Sequence, residues 1–251
     1  MCFKYNLIKS MDNKAAFIGQ VFGMILNDAM MIVQWIILFS LRDNIGGYGF
    51  NDVLMLWGLA AAIFGITHVF FNSSTKLSNL IMHGKLDAFL VQPKDTLIYA
   101  SASDMSVSAL GDILFGLLVL IFVKASIITS ILFVFFAITG SMIYTSISII
   151  YNSLSFFIGN AEDFAYSMES AQLSVSTYPD GIFSDKVRWI FMTIIPVAFS
   201  VYMPMKVLTE GNYILILIIT AFAVSISIVA YIVFYKGLKK YNSGNLMVAR
   251  I

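Results

Sequence analysis

Several of the residues that could do chemistry in this chain lie inside long apolar stretches. Asp28 and Asp112 each interrupt a run of aliphatic and aromatic residues, and Asn27 directly precedes the first of them. A charged side chain at membrane depth is costly, so function is the default interpretation of such a residue. The sequence therefore predicts a polar path or a subunit interface at these positions. The alternatives for the two aspartates are a place near the membrane surface or a protonated carboxyl.

A second set of polar side chains recurs at helical spacing in a later apolar stretch. Steps of four, three and four put its members on one face of a helix: Ser141, Thr145, Ser148 and Asn152. This stripe predicts either a polar path or a permease interface. Small hydroxyl residues also let neighbouring helices approach and hydrogen-bond, so contacts between helices of the chain itself are the competing explanation.

No pattern in the sequence supports catalysis on this chain. The only Gly-Lys pair, Gly84-Lys85, is followed by Leu and lacks the glycine-rich phosphate loop of ATPases. His68 and His83 are too far apart for a zinc helix, and Cys2 is the only cysteine. We therefore expect a protein that is not an enzyme, with no cofactor and no metal on this chain.

Composition assigns the class of protein. Hydrophobic residues make up 59% and charged residues 12% of the 251 residues, and the mean hydropathy is +0.88. These values lie far from those of soluble domains and predict an all-α integral membrane protein. The net charge of +1 gives no sign of a nucleic-acid partner.

Apolar runs of about 20 residues can cross a membrane, and five such runs position the polar residues described above. The predicted spans are residues 15–41, 53–71, 97–123, 127–157 and 213–235. The first is too long for a signal peptide and no small-residue cleavage site follows it, so we expect it to be retained.

The region between the last two spans permits two arrangements. Residues 163–178 are polar for a span and include Glu169, whereas residues 182–208 are apolar but contain Pro196 and Pro204, which kink helices. Either the first segment is a span and the second is a re-entrant outer hairpin, or the first is cytoplasmic and the second crosses as a kinked helix. Both arrangements give six spans with the two termini on the same side.

The distribution of Lys and Arg predicts the orientation. With both termini inside, ten of these residues lie on the inner side against five on the outer side, which favours cytoplasmic termini. The segment 1–14, the loop 75–96 and the tail 236–251 are then cytoplasmic, and the chain is a multi-pass protein of the cell membrane.

The 75–96 loop is more apolar than a simple turn requires. Its apolar residues repeat at helical spacing: Leu77, Leu80, Ile81, Leu86, Phe89 and Leu90. Gly84 suits the end of the first helical piece and Pro93 ends the second. We expect these side chains to dock in a groove on a partner, with Asp87 paired to a basic residue there. The alternative is that they lie in the headgroup layer or against the protein's own helices.

Four segments, in this order along the chain, resemble the ABC-2 type permeases of the six-span subfamily. They are GGYGFNDVLMLWG, NLIMHGKLDAFLVQP, GDILFGL, and YPDGIF with RWIFMTIIPVAFSVYMP. The second segment contains the inner-loop pattern I-x-x-G-x-L-D-x-x-L-x-x-P of that subfamily.

The resemblance implies the transmembrane subunit of an ABC transporter with an exporter-like, type V fold. It implies a second permease, the same chain or a related one, and two copies of an ATPase subunit that binds ATP and Mg²⁺. It also implies a coupling helix in the 75–96 loop, and it favours a fifth span followed by a re-entrant hairpin bent at Pro196 and Pro204. We expect alternating access in the export direction. The alternative is an ATP-independent protein, either a secondary transporter with a proton site at Asp28 or Asp112 or a membrane scaffold.

Overall fold

The computed structural model describes residues 2–242, so Arg250 and the end of the predicted tail, residues 243–251, lie outside the described residues. Within residues 2–242 the chain is helical and forms no β-strand, with one isolated bridge between Ile45 and Tyr48. The α-helices are, in chain order, α1 (Cys2–Ser10), α2 (Lys14–Leu41), α3 (Phe50–Phe70), α4 (Leu77–Met82), α5 (Asp87–Leu90), α6 (Thr96–Ser101), α7 (Ala109–Phe122), α8 (Ile127–Ser153), α9 (Ser155–Ile158), α10 (Glu162–Ser176), α11 (Asp185–Thr193), α12 (Met203–Glu210) and α13 (Ile214–Leu238).

Four helical segments of the described part are long and apolar enough to cross a membrane: Lys14–Leu41, Phe50–Phe70, Ile127–Ile158 and Ile214–Leu238. Their presence confirms the predicted class, an all-α multi-pass membrane protein. Helix α7 is apolar but has 14 residues, which corresponds to about 21 Å of helix. Helix α10 has 15 residues and contains several polar side chains.

Helix α3 lies at the centre of the molecule because small residues let its neighbours approach closely. A Cβ atom added to Gly116 of α7 would lie 2.7 Å from the carbonyl oxygen of Gly58 and 2.9 Å from Cβ of Ala62. A Cβ on Gly65 of α3 would lie 2.8 Å from the carbonyl oxygen of Ala109. Glycine and alanine therefore set the distance between α3 and α7, as is typical of membrane helices.

Helix α2 lies at the periphery of the molecule. Only Asp28 and Trp35 of its 28 residues are buried, and many of its apolar side chains are exposed, as expected for a helix in contact with lipid. Helix α2 packs on α7 at Gly111, where an added Cβ would lie 2.5 Å from the carbonyl oxygen of Val21. This contact brings the residue after Gly111, Asp112, to the level of Asp28.

The predicted continuous helix over residues 97–123 is wrong, because the chain leaves the helix after Ser101 and re-enters it at Ala109. The connecting residues are rich in Ser and Asp, whose side chains compete with helical hydrogen bonds. Asp104 accepts hydrogen bonds from Lys76 Nζ at 2.7 Å and from Asn72 Nδ2 at 2.8 Å. These contacts hold the connection against the segment that follows α3.

Residues 185–210 form a helical hairpin whose second arm is buried. The first arm is α11, and the second combines a π-helical turn, Ala198–Tyr202, with α12. Pro196 lies in the turn between the arms, whereas Pro204 lies within the second arm, directly after the π-helical turn. Pro204 is therefore not at the bend between the arms. Its missing amide hydrogen is accommodated by the change from π-helix to α-helix.

Two clusters of buried side chains bear on function. The larger one joins α3, α8 and the second arm of the hairpin, and includes Leu59, Phe136 and Met205. The smaller one lies under the 75–96 loop and joins it to α8 and α13. The loop is therefore part of the folded body of the protein.

Candidate functional site

Three apolar residues of the 75–96 loop are buried inside the protein. Leu77, Ile81 and Leu86 are almost completely inaccessible and pack against residues of α8, α9 and α13 such as Phe156 and Phe234. The helical spacing in the sequence predicted these three side chains to be anchors for a partner. The structure places them in the core instead, because the loop folds back on the helix ends and covers their apolar surface.

A glycine produces this fold-back. Gly84 follows the end of α4 with a φ of 67°, a left-handed conformation that side chains disfavour. The amide of Leu86 then donates to the carbonyl oxygen of Leu80 at 3.2 Å. This reversal directs the Leu86 side chain into the same cluster as Leu77 and Ile81.

The remainder of the loop presents an exposed surface, which we call the loop tip, residues 88–94. It includes the C-terminal end of the single-turn helix α5, and its apolar residues Leu90 and Val91 are 41% and 82% exposed. Lys94 lies beside them with its Nζ 4.3 Å from the ring centroid of Tyr99. The loop tip therefore presents the exposed apolar side chains of residues 75–96 to a partner.

The end of the loop is tied to α13 through Asp95. This residue caps α6, with its Oδ1 accepting from the Ile98 amide at 2.9 Å, and its Oδ2 accepts from the hydroxyls of Tyr231 and Tyr235 at 2.9 and 3.0 Å. Burial raises the pKa of Asp95, but these hydrogen bonds outweigh burial and hold the pKa below its usual value. The carboxylate is therefore charged at neutral pH and strengthens the contact.

The start of the loop is tied to the end of α8. The amide of Ser78 donates to Oδ1 of Asn152 at 3.1 Å, and the hydroxyls of Ser78 and Ser155 are hydrogen-bonded to each other. Ser155 Oγ also accepts from the Ala161 amide at 3.1 Å, just before α10. Helix α4 is therefore hydrogen-bonded to the end of α8 and, through Ser155, to the residue before α10.

The same asparagine leads to a buried acid on α10. Asn152 Nδ2 donates to Oε1 of Glu169 at 3.1 Å, and the Ser148 hydroxyl donates to the same oxygen. Ser148 and Asn152 are fully buried within the described chain, and Glu169 is 8% exposed. We call Ser78, Ser148, Asn152, Ser155 and Glu169 the polar network.

The stripe on α8 is thus an internal helix contact over half of its length. Ser148 and Asn152 belong to the polar network, and Ser141 donates to the carbonyl oxygen of Ile138 in its own helix at 2.8 Å. The buried hydroxyl of Thr145 has no hydrogen-bond partner among residues 2–242. The prediction of a permease interface at Ser148 and Asn152 is wrong, because their side chains point at α10 of the same chain.

The sequence pattern did not identify Glu169 as a site residue. The only feature that distinguished it was a carboxylate in an otherwise hydroxyl-rich segment. The spacing of residues within α10 gives no information about hydrogen bonds to α8.

Asp28 and Asp112 lie next to each other in the structure. Because 84 positions separate them in the sequence, their spacing did not predict this contact. Their carboxyl groups contact each other between α2 and α7, and both line a cavity of about 350 Å³ bounded by α2, α3, α7 and α10. Asn27 lies at the cavity as an exposed residue of α2. The three predicted residues therefore share one site, separate from the polar network.

Comparison with known families gives the identity. The family model described as ABC-2 family transporter protein matches residues 25–244. The chain belongs to this family. No curated protein and no solved structure matches the chain.

Membership defines the chain as an ABC-2 type permease, a component of membrane transport. Permeases of this family generally work with an ATPase subunit and are not themselves catalytic. The match includes the 75–96 loop, the polar network and both aspartates of the Asp28–Asp112 cavity, so these features belong to the family region of the chain.

Proposed function

We propose that this permease subunit transports substrate by alternating access, driven by ATP and Mg²⁺ on two copies of a separate ATPase subunit. The direction we propose is export, since the sequence suggests no docking surface for an external binding protein. A second permease, the same chain or a related one, completes the transporter. The protein lies in the cell membrane with both termini in the cytoplasm, in line with the ten inner and five outer Lys and Arg residues counted on the full sequence.

One observation carries this proposal: the loop tip is exposed while its base is hydrogen-bonded into the helices. Leu90 and Val91 offer an apolar contact surface, which is the kind of anchor a groove on a partner accepts. Ser78 and Asp95 fix the two ends of the loop to α8 and α13. A displacement of the loop tip by an ATPase is therefore transmitted to helices, rather than absorbed by a flexible connection.

The polar network extends this path across the bundle. The connection runs from Ser78 to Asn152 and from Asn152 to Glu169, so it joins α4, α8 and α10 through side-chain contacts. Leu173 lies one turn beyond Glu169 on α10 and lines the Asp28–Asp112 cavity. We propose that movement of the loop reaches the cavity along α10.

The hairpin supports the six-span topology with a re-entrant segment. Its turn contacts α8 at Tyr151, whose hydroxyl donates to the carbonyl oxygen of Ile194 at 2.9 Å. Ser200, in the second arm, approaches α8 at Gly140, so the turn and the second arm contact α8 at two positions about 16 Å apart. We propose that residues 182–208 enter from the outer side and return there, and that residues 163–178 form the fifth span.

Affinity purification from the native membrane tests the proposal. The unchanged chain should retain an ABC ATPase, with magnesium-dependent ATP hydrolysis in the purified sample. The double substitution Leu90→Glu and Val91→Glu should remove the ATPase without affecting membrane insertion. Asn212→Glu, at another exposed position between α12 and α13, is the control and should retain it. Recovery of the unchanged chain without an ATPase would instead support an ATP-independent transporter or scaffold.

A further inference from the structure

The cavity beside α2 combines two carboxyl groups with an apolar wall. Asp28 is 5% exposed and Asp112 is 2% exposed, and one oxygen of each, Oδ2, has no hydrogen-bond partner within the described residues. Neither residue takes part in the ion pairs found in residues 2–242. Two carboxyl groups that face each other away from water lack the positive charge that normally compensates buried acids.

The lining of the cavity supplies no such charge. Aromatic rings form much of it: Trp35, Trp57, Phe64 and Tyr178. The described residues that line the cavity include no Lys, Arg or His. Trp35 and Tyr178 meet edge to face at 5.8 Å between ring centroids, which joins α2 to the end of α10. The faces of aromatic rings attract cations, so the wall and the carboxyl pair favour the same sign of ligand charge.

The volume and the chemistry of the site together define a ligand class. A volume of about 350 Å³ lies within the range of cavities that hold small organic molecules, about 300–1,000 Å³. No group of three His, Cys, Asp or Glu side chains in the described part of the chain is arranged to hold a metal ion. The mostly apolar wall also suits an organic body better than a hydrated ion.

We propose that the Asp28–Asp112 cavity is the binding site for a lipophilic organic cation, a molecule with a positive centre in an apolar or aromatic body. The carboxyl pair holds the positive centre and the aromatic wall covers the body. As a substrate class for the transporter, this inference rests on the proposed function. The cavity then lies at the far end of the path from the loop tip through Asn152 and Glu169.

Binding to the full-length permease in lipid nanodiscs tests this assignment directly. The probe is radiolabelled tetraphenylphosphonium, and the matched control probe is tetraphenylborate, which has nearly the same shape and the opposite charge. Empty nanodiscs of the same lipid correct for partition into the bilayer. The cation should bind saturably and the anion should not. Absence of saturable cation binding, or equal binding of the anion, would overturn the proposal.

Substitutions locate the site. Asp28→Asn combined with Asp112→Asn keeps the size of both side chains and removes the negative charge of the pair. Loss of a buried charge partner costs at least about 2 kcal/mol, so the cation should bind about 30-fold more weakly. Asp43→Asn, at an exposed position just after α2, should bind as the unchanged chain does. Unchanged affinity of the double variant would contradict the assignment. If that variant aggregates, the comparison of cation and anion on the unchanged chain decides.

The two proposals fail separately. The binding assay contains no ATPase, so a permease that binds the cation but retains no ATPase would contradict the proposed function alone. A permease that retains its ATPase through Leu90 and Val91 but does not distinguish the two probes would contradict the cation site alone.

Discussion

Replacing Asn152 by alanine removes the side chain that links the 75–96 loop to the buried carboxyl of Glu169. Asn152 is 1% exposed and makes three hydrogen bonds. Its Oδ1 accepts from the Ser78 amide at 3.1 Å, and its Nδ2 donates to Glu169 Oε1 at 3.1 Å and to the Ser148 carbonyl oxygen at 3.0 Å. The substitution leaves the amide of Ser78 without its partner in a site that water does not reach.

The size of the effect follows from that orphaned amide. A buried donor left without an acceptor costs about 1–3 kcal/mol, and this cost falls on the closed position of α4 against α8. Local opening of α4 should therefore become about 5- to 150-fold more frequent. Amide hydrogen exchange reports such local opening, so Asn152→Ala should accelerate exchange in residues 77–82 by a factor in this range.

Exchange measured by mass spectrometry on the permease in nanodiscs provides the assay. Ser146→Ala is the matched control, because Ser146 is also a buried, hydrogen-bonded residue of α8, but it contacts Ser227 of α13. It should leave residues 77–82 unchanged. Equal exchange of residues 77–82 in the unchanged chain and in Asn152→Ala would refute the link. So would acceleration spread uniformly over all helices, since the effect would then be general loss of stability.

Three further predictions concern single residues. Gly116→Ala puts a Cβ 2.7 Å from the carbonyl oxygen of Gly58 and should destabilise the α3–α7 contact by about 1–3 kcal/mol. The variant should aggregate at a lower temperature than Gly23→Ala, whose added Cβ meets nothing within 4 Å. Gly84→Ala forces a side chain into a φ of 67° and should cost about 1–2 kcal/mol in the same measurement; stability equal to that of Gly23→Ala would contradict the strained turn. The hydrogen bonds to Asp95 lower its pKa. Their contribution to the stability of the folded loop is therefore present above about pH 4 and is lost as the pH falls through the folded-state pKa. Pepsin cleavage of the 75–96 loop should therefore become faster in the unchanged chain, relative to Asp95→Asn, as the pH falls through that range. A ratio of the two cleavage rates that stays constant with pH would count against a stabilising role of the Asp95 carboxylate.

The sequence predicted the class of protein and the long apolar helices because both depend on composition and on the length of apolar runs. It did not predict the break after Ser101, because the contacts that hold the connection in place join Asp104 to Lys76 and Asn72, 28 and 32 positions away. Local propensity gives no information about such a contact.

The candidate site shows the same limit. Helical spacing placed Leu77 and Ile81 on one face, as the structure does, but a face that is apolar fits the protein's own core as well as a partner. The backbone conformation of Gly84 favours the core, because it turns the Leu86 side chain inward. Likewise, the sequence identified Asp28 and Asp112 as two separate candidates. Only the approach of α2 to α7 at Gly111 brings them together.

Cross-linking from the loop tip tests the central claim that an ATPase acts on this permease through the 75–96 loop. In a chain with Cys2→Ser, Val91→Cys provides one exposed thiol on the loop tip, and Asn212→Cys provides one between α12 and α13. A short cross-linker that reacts with a thiol at one end and is photoactivated at the other, applied to permeabilised native membranes, should join the ATPase to Val91→Cys and not to Asn212→Cys. Cross-linking of the ATPase from Asn212→Cys, with none from Val91→Cys, would contradict the account.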